Sequence, residues 1–214
     1  MINATSCKEC NHEVKSKDGI CSVRSALDNL KVRCVGGWAR EKYYYIQRYL
    51  EIFTTSMKSK WKLVYIDLFA GCGKCIIRDT EEEIDGSALI ALGLKYPFNK
   101  YIFIDLNKVA LDCLKERAKA YSLCKNISFK EGDCNQIIKK AIINNELPIK
   151  DHLYLALIDP TGLQINFDTI NLLTQNRRVD IIFIFPEGMA IKRNLEKFLK
   201  QQDSPLDLFM GDTK

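Results

Sequence analysis

The stretch that decides the fold is Leu63-Val64-Tyr65-Ile66-Asp67-Leu68-Phe69-Ala70-Gly71-Cys72-Gly73-Lys74. A short apolar run closes on an aspartate and then on two glycines, which is how a buried strand ends in a turn tight enough for backbone to approach a ligand. The pattern of short apolar runs recurs at Tyr101 to Ile104, Ile127 to Phe129, Leu153 to Ile158 and Ile181 to Phe185. Helical stretches lie between and after them: 87–96, where Ser87 is a plausible cap, 108–121 after Asn107, 136–144, 167–175 and 191–201. Alternating strand and helix predicts an α/β fold, a mostly parallel sheet with helices on both faces, because parallel neighbours require crossover connections. Ahead of the first run, Tyr45, Ile46, Tyr49, Leu50 and Phe53 recur at helical spacing, so residues 39–57 are expected to dock one face on the sheet.

The composition suits that fold. The 214 residues carry 32 basic and 27 acidic side chains, a net charge of +5, with 47% hydrophobic residues. This is the profile of an ordinary globular protein of about one domain. Basic residues are dispersed among acids, so charge alone names no nucleic-acid partner. No window approaches the roughly 18 apolar residues of a membrane span, and the opening Met1-Ile2-Asn3-Ala4-Thr5-Ser6 leads into charged residues, so a cytoplasmic address is expected.

In an open parallel sheet, ligands bind beyond the carboxyl ends of the strands. Two phosphate-binding readings of the glycine turn fail there. A phosphate loop needs a glycine where Leu68 stands and a hydroxyl where Cys75 stands, and a dinucleotide fingerprint needs a third glycine at Ile76 with a helix opening at once. The other strand ends supply carboxylates. Asp105 follows the second run, where a ribose diol lies if an adenosine spans neighbouring strands, and Asp133 follows the third, where it can accept from an adenine amino group. Asp159-Pro160 closes the fourth. Taken singly, Asp105 and Asp133 also read as helix caps, and Asp159-Pro160 as a strand-stopping turn.

Together these residues resemble the class I S-adenosylmethionine-dependent methyltransferases, whose first motif, Asp-x-Phe-x-Gly-x-Gly, is matched by Asp67, Phe69, Gly71 and Gly73. The resemblance implies a Rossmann-like fold and an S-adenosylmethionine site formed by Asp67, Phe69, Gly71, Gly73, Asp105 with Leu106, and Asp133 with Cys134. It makes Asp159 and Pro160 the opening of the catalytic motif, from which Thr161 and Gly162 depart by lacking the aromatic residue that stacks a target base. Gly37-Trp38-Ala39, Glu41-Lys42, Gly86-Ser87-Ala88-Leu89 and Asp159-Pro160-x-Gly162 extend the likeness to the three-Cys-motif partner family, TcmP, over about 36–211. That resemblance implies a methyltransferase-like protein acting with a three-Cys-motif, radical S-adenosylmethionine-like partner on an unassigned substrate. The alternative is a non-catalytic scaffold with the same fold. Family members run further, so the chain is expected to be truncated or a short variant, ending near Gly211 where another helix and the closing strands would follow. Lys42 is a candidate to reach the cofactor carboxylate.

Nine cysteines without a secretory pattern read as thiols or metal ligands. Cys7-x-x-Cys10 is half of a zinc knuckle, and Cys21 and Cys34 complete a tetrahedral set, with His12 as a competing ligand. Zinc would explain how residues 1–35, poor in large apolar side chains, order as an appendage to a domain spanning 36–214. The other reading is a loosely docked segment with free thiols. Cys72 and Cys75 read as incidental thiols within the glycine turn.

Overall fold

A computed structural model of the chain describes residues 23–121, 123–185, 191 and 194–211. In chain order the elements are β1 (Arg33–Val35), α1 (Trp38–Met57), β2 (Lys62–Asp67), β3 (Lys74–Ile77), β4 (Glu83–Asp85), α2 (Ser87–Leu92), β5 (Lys100–Asp105) and α3 (Lys108–Ala118). They continue with β6 (Ile127–Glu131), α4 (Cys134–Ile143), β7 (His152–Ile158), α5 (Phe167–Thr174), β8 (Val179–Phe183), α6 (Leu195–Leu199) and α7 (Pro205–Met210).

The five apolar runs form one sheet in the order β6-β5-β2-β7-β8, with every neighbouring pair parallel. From β2 the chain steps outward through β5 and β6, then returns to the other side of β2 for β7 and β8. The order therefore reverses between β2 and β7, where a crevice opens beyond the strand ends. Register aligns Asp67, the last residue of β2, with Phe103 on one side and Leu157 on the other, so β5 runs two residues further, to Asp105, and β7 one further, to Ile158.

Both faces are covered, as the near-continuous apolar runs require. Tyr65, Tyr101, Phe103 and Leu155 pack beneath α1, α2 and α3, with Phe98 and Tyr65 rings 5.3 Å apart. Val64, Ile66, Ile104, Tyr154 and Ile158 pack beneath α4, α5 and α7 through Ile138, Leu173 and Phe209. Among the described residues, no helix is long and apolar enough to cross a membrane.

The core-facing stripe of α1 differs from the expected one. Ala39, Tyr43, Ile46, Leu50 and Phe53 point inward, while Tyr45 and Tyr49 are 62% and 44% exposed. Successive helical residues diverge by about 100°, so only one of the consecutive tyrosines 43–45 can enter the core. Ser87 also departs from its expected role. Gly86 is the N-cap of α2, and the Ser87 hydroxyl donates instead to Asp67.

A second sheet, β1-β3-β4, pairs β1 parallel with β3 and β3 antiparallel with β4. Strands of three and four residues are too short to show a period of two in sequence. Its Ile76 packs with Val23 and Val32, so residues 23–35 lie on the α/β unit through a small apolar cluster.

Candidate active site

The turn after β2 is built by two glycines in left-handed backbone, Gly71 at φ +63° and Gly73 at φ +89°. A Cβ at Gly73 would lie 2.9 Å from Leu114 Cδ1, whereas one at Gly71 would meet nothing within 4 Å. Gly73 is therefore held by packing against α2 and α3, and Gly71 borders open space. Its partner glycine across the turn, Gly86, donates its amide to the Gly73 carbonyl at 2.7 Å, which ties the start of α2 to the turn.

Asp67 lies beneath that turn and has no solvent exposure. It accepts from Ser87 Oγ at 2.6 Å, from the Phe69 amide at 3.2 Å and from Tyr65 Oη at 3.4 Å. Burial pushes its pKa up to about 7, against the pull of the Ser87 and Phe69 donors, and the nearby Asp159 and Asp105 add to the rise. These donors tie Asp67 to the turn through the Phe69 amide and to the start of α2 through Ser87.

Asp105 is half-buried at the end of β5 and reaches back to that turn. Its Oδ2 accepts from the Gly71 amide at 2.8 Å and its Oδ1 from the Asn107 amide at 2.7 Å. Each carboxylate oxygen has a second lone-pair direction, so two fixed acceptors remain able to receive a diol. Leu106, immediately after, is 76% exposed, an apolar side chain in the open beside the acid. Asp133 caps α4, its Oδ1 accepting from the Asn135 amide and side-chain nitrogen, both at 2.9 Å. Cys134 is buried in the core under α4, and burial pushes its thiol up to about 12. Its side chain belongs to that core.

Asp159 leaves β7 beside the glycine turn, and a small cleft between them is lined by Arg33, Tyr43, Phe69, Gly71 and Ser87. Lys42 enters from α1 and places its ammonium 2.5 Å from Asp159 Oδ2. The same ammonium stands 4.3 Å from the Tyr43 ring centroid and 4.8 Å from that of Trp38. Pro160 is buried behind the acid. A separate open groove of about 750 Å³ lies between α1 and α2, around Tyr44, Thr55, Ile90 and Tyr96. The clustered acids and the glycine turn all lie at the carboxyl ends of the strands.

The structure thus brings Asp67, Phe69, Gly71, Gly73, Asp105, Leu106, Asp133 and Asp159 to one edge of the sheet. Sequence reasoning missed three participants. Ser87 carries a capping signature that concealed its bond to Asp67. Asn135 ties the strand ends together: its Oδ1 accepts from the Asn166 amide and Thr169 Oγ1, and its Nδ2 donates to the Gln164 carbonyl. Arg117, on α3, donates to the carbonyl of Cys72 inside the turn. No local spacing marks either of the last two, because their partners are remote in sequence.

Of the expected zinc ligands, Cys34 lies in β1, aligned with Ile76, whereas Cys7, Cys10 and Cys21, with His12, lie outside the described residues. Among the described residues no group of three or more His, Cys, Asp or Glu side chains is placed to hold a metal.

No family model matches the chain, and no curated protein matches it. Among solved structures it is similar to the crystal structure of protein LPL1258 from Legionella pneumophila, described with the family model DUF519. The two share 14% identity at a TM-score of 0.42, over 54% of this chain and 55% of the other. The chain thus matches about half the length of that structure, and a likeness at this level carries no argument about fold or activity.

Proposed function

We propose that this chain binds S-adenosylmethionine across the carboxyl ends of β2, β5 and β6, as a class I methyltransferase-like protein. The observation that carries the reading is the hydrogen bond from the Gly71 amide to Asp105 Oδ2, 2.8 Å, which joins the glycine turn to the acid of the neighbouring strand. A turn with open space above Gly71, an acid presenting two fixed oxygens, and an exposed Leu106 beside it suit the amino-acid, ribose and adenine portions of that ligand in turn. The sheet order β6-β5-β2-β7-β8 supports the same reading, since its reversal falls next to the turn. When bound, S-adenosylmethionine supplies an electrophilic methyl group. The chain's own part is to orient the ligand through Asp105, to shape the turn through Asp67, and to hold or deprotonate a nucleophile at Asp159.

The partner in this reading is a three-Cys-motif protein, supported by the sequence likeness to the TcmP family. A scaffold without transfer activity is the second reading, and one observation favours it: the Asp159 carboxylate is already engaged by Lys42, with side chains only 13% and 9% exposed. Calorimetry with S-adenosylmethionine and its demethylated product tests the binding, with micromolar affinity, about −8 kcal/mol, expected. Mass spectrometry for methylated products, with the three-Cys-motif protein present, separates the two readings. Absence of binding to either compound refutes both the cofactor and the transfer.

A further inference from the structure

Arg117 is 7% exposed and its guanidinium joins three separate parts of the chain. Nε and Nη2 form a two-pronged pair with Asp28, at 2.7 and 3.0 Å. Nη1 donates to the Lys31 carbonyl at 2.9 Å and to the Cys72 carbonyl at 2.6 Å. Cys72 stands between the two left-handed glycines. In a trans peptide the carbonyl and the following N–H point in opposite directions, so holding the Cys72 oxygen against α3 also fixes which way the Gly73 amide points.

The segment that brings Asp28 and Lys31 to Arg117 is itself anchored. The backbones of Arg24 and Lys31 pair as an isolated antiparallel β-bridge, the Ser25 amide donates to the Leu30 carbonyl at 2.9 Å, and Val23 and Val32 pack on Ile76. Glu83, on β4, accepts from Ser25 Oγ at 2.7 Å and from the Ala26 amide at 2.6 Å. The Arg117 hydrogen bonds hold the Asp28 carboxyl down to about 2, so the pair stays charged across the physiological range.

We infer that Arg117 is a positioning residue of the cofactor site, orienting the Cys72–Gly73 peptide of the glycine turn from a guanidinium aimed by Asp28 and the Lys31 carbonyl. The inference rests on the reading of the turn as the S-adenosylmethionine site. A buried cation that spends its donors on two loop carbonyls and one carboxylate selects a single arrangement of those groups. Without it, the Cys72 carbonyl loses its donor and the peptide is released to flip.

Two kinds of variant separate turn positioning from general support. Arg117→Gln removes the forked donor, and Arg117→Lys retains a charge that can still reach one carbonyl. Glu83→Gln weakens the anchoring of the same segment without touching Arg117 or Cys72. Amide exchange at Gly71, Gly73 and Lys74 is measured in the ligand-free protein, and S-adenosylmethionine affinity by calorimetry. Arg117→Gln is expected to speed exchange and weaken binding, each about tenfold, with Arg117→Lys intermediate and Glu83→Gln close to wild type in both. Equal effects from Glu83→Gln and Arg117→Gln, or unchanged exchange in Arg117→Gln and Arg117→Lys, overturn the inference. Wild-type protein that binds no S-adenosylmethionine overturns the ligand assignment instead, while the exchange measurement still decides whether Arg117 sets the turn. If Arg117→Gln does not fold, the comparison of Arg117→Lys with Glu83→Gln carries the test.

Discussion

Lys42 and Asp159 stand 117 positions apart in the sequence and meet at 2.5 Å, joining α1 to the strand end where the sheet order reverses. Their side chains are 9% and 13% exposed, so neither charge is well hydrated once its partner is removed. Breaking a largely buried pair from one side costs about 3–5 kcal/mol, because a lone charge is left behind. Lys42→Met and Asp159→Asn should therefore each lower stability by roughly 2–4 kcal/mol in denaturant titration, less than the fully buried limit because some water reaches both. The double variant should recover part of the loss. Strictly additive effects would show that the two groups do not interact.

Asp67 predicts an unusual pH dependence. Its folded pKa is raised by burial to about 7, above the ordinary carboxylate value, so between about pH 4 and 7 the folded state binds more protons than the unfolded one. Stability contributed by the protonated side chain is complete below the unfolded pKa and is lost as pH rises through the folded one. Asp67→Asn keeps the shape and cannot ionise. It should lose less stability than wild type on going from pH 4 to 7, by a margin whose ceiling is on the order of 4 kcal/mol. Parallel pH profiles for the two proteins would refute a buried, proton-holding Asp67.

The two turn glycines should respond differently to a methyl group. Gly73→Ala combines a left-handed φ with a Cβ placed 2.9 Å from Leu114 Cδ1 and 3.1 Å from Leu89 Cγ, so backbone strain and overpacking add, at about 2–4 kcal/mol. Gly71→Ala has only the left-handed strain, about 1 kcal/mol, since the new methyl enters open space. Its effect should instead be on ligand affinity, because that space is where the ligand is proposed to sit. Gly71→Ala protein that binds S-adenosylmethionine as tightly as wild type would move the ligand away from the turn.

The sheet and its site were legible in sequence to different depths. Runs such as Leu153 to Ile158 are buried on both faces and announce themselves as strands, and Asn107 caps α3 as its position suggests, its side chain accepting from the Ala110 amide at 3.0 Å. The strand-end acids were found because position along a strand is a local property. The three-stranded sheet is not legible because strands of three and four residues are too short for a period of two to show. Ser204 and Asp207 form a capping box that marks α7, a signal that is local and present in the sequence. Lys42 with Asp159, Arg117 with Asp28 and Cys72, and Asn135 with Thr169 are invisible in principle to local reading, because each pairing is made by the tertiary fold.

Asp105 offers the sharpest separation of a ligand role from a structural one. Its two oxygens already receive the Gly71 and Asn107 amides, so Asp105→Ala deprives the turn and the start of α3 of acceptors as well as any ligand of its carboxylate. Asp105→Asn keeps one carbonyl oxygen but replaces the other with a donor, which faces an amide donor in either orientation. Asp105→Glu keeps both oxygens and moves them by one methylene. If the acid holds a ribose diol, Asp105→Ala should weaken S-adenosylmethionine binding by about 1–3 kcal/mol, roughly 5- to 150-fold, through loss of charge-assisted bonds. The structural share of that loss can be measured separately with a ligand that has no 2′- and 3′-hydroxyls. For the dideoxy analogue, the ratio of wild-type to Asp105→Ala affinity should fall towards the part due to the turn alone. A penalty equal for the hydroxylated and dideoxy ligands would assign Asp105 to the turn and remove it from ligand recognition.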